Sequence, residues 1–171
     1  EQLQQTTIRL LTKQFISLFE RRTNIQETKS FIQKLAKNVI YPNKELVMIP
    51  EHEDRKSDRL FVYPICSSGQ TAPYFRVYIV RCLPGCVAPS HSHPIEEFVY
   101  LAEGSFRDKI TPKKTVVESP YHQKIGEWTT HDKKEEVICQ TSSDRNNFFP
   151  YDHKVASIEG CLLIVVNRSP Q

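Results

Sequence analysis

The stretch PSHSHPIEEFVYLAEG, residues 89–104, crowds His91, His93, Glu96 and Glu97 just ahead of an apolar run. Imidazole and carboxylate are donors for a divalent metal ion, and polar groups aimed at a core are costly without a partner. Residues two apart share one face of an extended strand, so His91 and His93 point the same way. Glu97, Val99 and Leu101 have the same parity and continue that inward face after a turn at Pro94, while Phe98 and Tyr100 point to the other side. Gly104 suits a tight turn where the hairpin reverses. Glu96 faces solvent or supports Glu97 from behind. Written as spacing, Gly85, His91, His93, Glu97 and Gly104 form G-x5-H-x-H-x3-E-x6-G.

These residues must be held by a fold, and the rest of the chain says which. At 171 residues with 39% hydrophobic and 25% charged residues, the composition suits one domain with a real core and a small appendage. A net charge of +3, spread among acids, does not make the basic stripe that nucleic-acid binding needs. No apolar run is long enough to span a bilayer, and the stretch from Glu1 does not read as a signal peptide, its non-Met start being consistent with processing or trimming. The five cysteines contain no C-x-x-C pair and read as reduced thiols of an intracellular, cytoplasmic protein. Cys82 and Cys86 in CLPGC have the spacing of a zinc half-site, but no second pair completes it. The sequon Asn167-Arg168-Ser169 reads as chance.

Residues 1–40 read as a helical segment. Ile8, Leu11, Phe15 and Leu18 recur at helical spacing, with Leu10 and Phe19 widening the stripe. Thr23 or Asn24 caps a second helix, with Gln26 or Glu27 completing a capping box and Phe31, Ile32 and Leu35 as its apolar face. Packing on the same domain is the plain reading of such a face. Partner binding, or a remnant of an upstream helical domain, are the alternatives. From residue 41 to 171 the grammar is β. ELVMIP, RLFVYPI, FRVYIVRCLPG, EEFVYLAEGSF, GEWTT and GCLLIVV are strand candidates. EHEDRKSDR, residues 51–59, reads as a polar loop, and the strands between Lys109 and Asn147 are less defined. Many short strands in one chain point to an all-β sandwich or barrel.

The spacing from Gly85 to Gly104 resembles the first motif of the cupin superfamily at every defined position. A chance match at ordinary residue frequencies is on the order of one in ten thousand. The resemblance implies a double-stranded β-helix, a jelly-roll barrel, with N-terminal α-helices outside it. It also implies that His91, His93 and Glu97 bind one divalent metal together with a histidine from a second motif. The candidate for that histidine is His153 in NNFFPYDHKVASIEGCLLIVV, although Phe148, Pro150 and Ser157 depart from the motif's Pro, Gly and Asn. His131, after GEWTT, and His122, in SPYHQK, compete for the position. EEFVYLAEGSFRD and the run from His153 to Cys161 further resemble segments of the ChrR-like cupins, the metal-binding domains of some anti-sigma factors. The resemblance covers roughly residues 45–166.

Three imidazoles and a carboxylate suit Fe(II), Zn, Mn or Ni, with Fe(II) or Zn the leading expectations. The resemblance then implies either a small-molecule, non-haem metal-dependent dioxygenase or a non-catalytic metal-binding sensor like the anti-sigma cupins. In both, a small molecule enters the barrel, and a homodimer is expected because isolated barrels must protect their edges. Trp128, Tyr78 and Arg76 are candidates for the barrel mouth, with plain core or a surface ion pair as the alternatives. His52 has no special role.

Overall fold

The structure, a computed structural model, describes residues 9–10, 13–14, 17, 25–37, 52–53, 59–67, 74–90, 96–112, 126–140 and 151–169. Along the chain these form α1 (Ile25–Leu35), β1 (His52–Glu53), β2 (Leu60–Ser67), β3 (Tyr74–Cys82), β4 (Cys86–Val87) and β5 (Glu96–Gly104). There follow β6 (Phe106–Pro112), β7 (Thr129–His131), β8 (Val137–Gln140), β9 (Tyr151–Ser157) and β10 (Cys161–Ser169).

Alternation along β10 explains the layering. Leu162, Ile164 and Val166 bury on one face, and Leu163 and Val165 on the other. A strand buried on both faces must lie in mid-sheet with a layer on each side. β10 does so, between β3 and β5 in a six-stranded sheet of order β1-β2-β3-β10-β5-β8. The second sheet has the order β4-β9-β6-β7. From β3 onward the strands pair first with last and inward in turn: β3 with β10, β4 with β9, β5 with β8, β6 with β7. That is one long antiparallel hairpin, and β5–β10 and β6–β9 pairings join its successive coils into two facing sheets. The result is a double-stranded β-helix of jelly-roll type.

Two cores follow from the two faces of the large sheet. Between the sheets lie Leu60, Val99, Leu101, Phe106, Leu163 and Val165. On the outer face Val77, Ile79, Phe98, Tyr100, Ile164 and Val166 pack against Ile32, Leu35 and Ala36 from α1 and its end. The apolar face expected for the second helix is therefore real and packs on the barrel. Glu27 in the first turn and Lys34 in the last complement the helix dipole. Gln33 Nε2 donates to the Glu135 carbonyl at 3.1 Å, tying α1 to the turn before β8. Glu135 has φ of 69°, and that turn is held by its N–H donating to the Leu101 carbonyl at 2.9 Å.

Gly104 has φ of +75°, and a Cβ there would run into the Gly160 carbonyl oxygen. The turn expected at this glycine thus doubles as a close crossing of two backbones.

Several expectations need correcting. The polar stretch 51–59 contains β1, because the exposed edge of β2 takes His52 and Glu53 as partners of Val62 and Phe61. VICQ forms β8, which the surrounding charged residues concealed. His153 lies on β9, the strand directly ahead of β10. Leu10, placed on the first helix's apolar stripe, is 57% exposed. The remaining stripe residues Ile8, Leu11, Phe15, Leu18 and Phe19, the caps Thr23 and Asn24, and the ELVMIP strand lie outside the described residues.

Candidate functional site

β6 supplies the centre of the site. Phe106, Asp108 and Ile110 alternate inward and are buried, while Arg107 and Lys109 face out. The neighbours on either side, β9 and β7, each bring a histidine to the same face. His153 pairs with Ile110 and His131 with Phe106, so each lies two residues out of step with Asp108 and reaches it diagonally. His153 Nε2 is 3.1 Å from Asp108 Oδ2, and His131 Nε2 is 3.0 Å from Asp108 Oδ1. One carboxylate therefore spans two imidazoles, one on each oxygen. The His131 ring also stacks at a tilt against Phe106, with centroids 4.8 Å apart.

The large sheet supplies the opposite wall. Glu97, on β5, is 4% exposed, and its strand neighbours on that face are Val99 and Leu101. Asn167 stands directly opposite Glu97 on β10, and its Nδ2 donates to the Tyr78 hydroxyl at 3.0 Å. Between the walls lies a cavity of about 350 Å³. Tyr78, Glu97, Asp108 and His153 line it among mostly apolar residues, including Val80, Val99, Phe106 and Leu163.

Burial and charge set the protonation states. Burial opposes ionisation of Asp108, but the hydrogen bonds from His131 and His153 outweigh it and hold the carboxyl well below its ordinary range. Burial pulls His153 down, yet its bond to Asp108 and the charges of Glu97 and Asp108 outweigh that and raise it. Glu97 is pushed up to about 7 by burial, with His153 opposing and Asp108 adding to the rise. Burial, and then the Glu97 charge, push the Tyr78 hydroxyl up. The arrangement is an acid and an imidazole facing one small, mostly apolar space.

Of the expected ligands, the fold brings Glu97 and His153 to the same cavity. His91 and His93 lie outside the described residues, as does His122. His131 and His153, set against each other from the sequence, are both present and share Asp108. Asp108 itself was not singled out, although it closes the EEFVYLAEGSFRD segment that carried the resemblance. Its inward parity with Phe106 was the available signal. Of the proposed mouth residues Tyr78 lines the cavity, Arg76 is exposed, and Trp128 lies under Arg107 and Lys109 at 4.6 and 5.1 Å on the outer surface.

The rolled hairpin, with both motif strands β5 and β9 turning a polar side chain into its interior, decides the fold. It is cupin-like. Among solved structures similar to this cupin-like chain is a cupin superfamily protein from Desulfitobacterium hafniense, at 9% identity and TM-score 0.45, covering 70% of this chain and 84% of that one. Another is KdgF from Halomonas sp., at 14% identity and TM-score 0.45, covering 71% and 91%. A third is an RmlC-like cupin from Shewanella frigidimarina, at 13% identity and TM-score 0.45, covering 67% and 80%. No family model matches the chain. No curated protein matches it either. Among the described residues of the cupin-like chain, no three His, Cys, Asp or Glu side chains are disposed to hold a metal, and no helix is long and apolar enough to cross a membrane.

Proposed function

We propose that the barrel is a metal-dependent site for a small, mostly apolar molecule, with Glu97 and His153 as two ligands and His91 and His93 as the others. What carries this reading is the two-histidine clamp on Asp108 beside the cavity. The residues present fit a divalent ion. A carboxylate and an imidazole suit Fe(II), Zn, Mn or Ni, and a buried Glu97 held up to about 7 is a group that a cation would ionise. Asp108 holds the His153 ring through Nε2, as carboxylates behind metal-ligating histidines do, so Nδ1 is the nitrogen a metal would take. A divalent ion there would supply open coordination positions for substrate oxygens and dioxygen.

The chain's own residues do the rest. Val80, Val99, Phe106, Leu163 and Val165 exclude water and receive an apolar body. The Tyr78 hydroxyl, fixed by Asn167, is placed on the wall to orient a polar end. Asp108 keeps both histidines from turning. The activity that suits this site is dioxygenation of a small chelating molecule. A homodimer and a cytoplasmic location complete the reading. The rival, a sensor whose N-terminal helices bind a partner, has less support, since the apolar face of α1 is already buried on the barrel.

Metal analysis of the purified protein, followed by oxygen uptake with diketones, thiols and catechols, is the test. One equivalent of Fe with substrate-dependent uptake is expected. Stoichiometric Zn with no uptake would favour the sensor, and absence of bound metal after reconstitution would defeat both. Light scattering at micromolar concentration should give twice the chain mass.

A further inference from the structure

The two halves of β10 serve different purposes. Asn167 stands at one end, beside Glu97, and Cys161 at the other, six residues or about 20 Å of strand away. Cys161 is the register partner of Cys82 on β3. Both side chains lie on the inter-sheet face, 6% and 4% exposed, in the cluster that also contains Cys86. All three are free thiols.

These cysteines interact as a set. The Cys82 thiol interacts with both Cys161 and Cys86. Cys86 is brought close by the Leu83–Gly85 turn, where its N–H donates to the Leu83 carbonyl at 3.0 Å. The CLPGC half-site noted in the sequence is therefore joined by a third thiol from the far end of the chain. The chemistry open to opposed thiols is sulfur oxidation.

We propose that Cys82 and Cys161 form a reversible, peroxide-oxidised disulfide joining β3 to β10. Directly opposed residues in an antiparallel pair have Cα atoms about 4.5 or 5.5 Å apart, and both values lie within the range a disulfide spans. Access comes from the cavity, since Cys82 lines it and hydrogen peroxide is close to water in size. Cys82 favours the thiolate on Cys161, whereas Cys161 and burial hold Cys82 as the thiol. That distinguishes the pair from an isolated buried cysteine, which is inert.

With its proton passed to Cys161, Cys82 attacks hydrogen peroxide from the cavity wall as the thiolate. An S–O bond forms, the O–O bond breaks, and the departing hydroxide takes up a proton to become water. The second sulfur then attacks the resulting sulfenic acid. The S–S bond forms, the S–O bond breaks, and the hydroxyl leaves as water with the second thiol's proton. Two thiols are oxidised by two electrons in all, and one peroxide is reduced to two waters.

The test uses the intact wild-type protein, reduced, desalted, exposed to hydrogen peroxide, then unfolded and alkylated for peptide mapping. Expected is loss of two of the five alkylatable thiols, a single linked peptide pair carrying Cys82 and Cys161, and full recovery with dithiothreitol. Five alkylated cysteines after peroxide would overturn the proposal, as would a bridge between Cys82 and Cys86. In Cys86→Ser the same bridge should form, and in Cys161→Ser none should. Because serine in this cluster can disturb folding, the wild-type map alone is decisive.

Discussion

His153 stands opposite Ile110, not Asp108, yet its Nε2 lies 3.1 Å from the Asp108 carboxylate, which it meets diagonally across β6. His131 makes the mirror-image contact from β7 at 3.0 Å. The carboxylate is thus an anchor for two rings that belong to strands with no pairing to each other.

Replacing that anchor should loosen the site without emptying it. Asp108→Asn keeps the shape but removes the charge both imidazoles face. Metal affinity should fall about 10–100-fold, as for other carboxylates behind ligating histidines. Competition titration against a chelator of known affinity measures this, and an unchanged dissociation constant would contradict the assigned role.

The stability of metal-stripped protein should depend on pH through Glu97. Its folded-state value of about 7 lies above the ordinary 4.5, so the folded chain keeps a proton that the unfolded chain loses. The contribution is fully present below about pH 4.5 and disappears as pH rises through about 7, a loss of about 3 kcal/mol. Glu97→Gln should flatten this part of the profile. Urea midpoints at pH 5 and pH 8 for both proteins, with chelator present, give the comparison. Superimposable profiles would rule the effect out.

Metal removal should leave the barrel standing. The core strands bury enough apolar surface to outweigh one ion's contribution. His91→Ala should therefore lose metal affinity strongly and melt only modestly earlier. A cooperative loss of the β signal in circular dichroism on adding chelator at room temperature would show a structural ion instead.

Two glycines with nearly equal φ should respond unequally to alanine. Gly104 (+75°) would drive its new Cβ into Gly160, whereas Gly126 (+77°) has nothing within 4 Å. Gly126→Ala should cost about 1–2 kcal/mol from backbone conformation alone. Gly104→Ala should cost clearly more, read as a larger drop in Tm.

Truncating the anchor of α1 should separate packing from chemistry. Ile32 is fully buried, so Ile32→Ala should cost about 2–5 kcal/mol. Metal affinity at 25 °C should be unchanged, because Ile32 sits on the outer face of the sheet. A parallel loss of affinity would tie the helix to the site.

Much of this was legible because the strands obey a period of two. Glu97, Val99 and Leu101 face inward and Phe98 and Tyr100 outward, as their parity requires, and Phe31, Ile32 and Leu35 form the helix face they spell. What stayed hidden depends on pairing between distant strands. Nothing local to Asp108 shows that His131 and His153 flank it, since the register of β6 with β7 and β9 creates the contact. The same holds for Cys161, which completes the CLPGC pair only through its position opposite Cys82. β1 and β8 were missed because both are short and carry charged neighbours, and a sheet edge rather than an apolar pattern fixes them.

The placement of β10 has a consequence for how the protein is made. It lies in the middle of the large sheet, between β3 and β5, but among the described strands it is the last to leave the ribosome. Until then β3 and β5 each lack a neighbour, and the inner faces of both sheets are open. Closure joins residues far apart in sequence, a topology that folds slowly. A nascent chain halted before Cys161 would expose two unpaired edges and a wet core, which makes it a natural client for chaperones that shield strands.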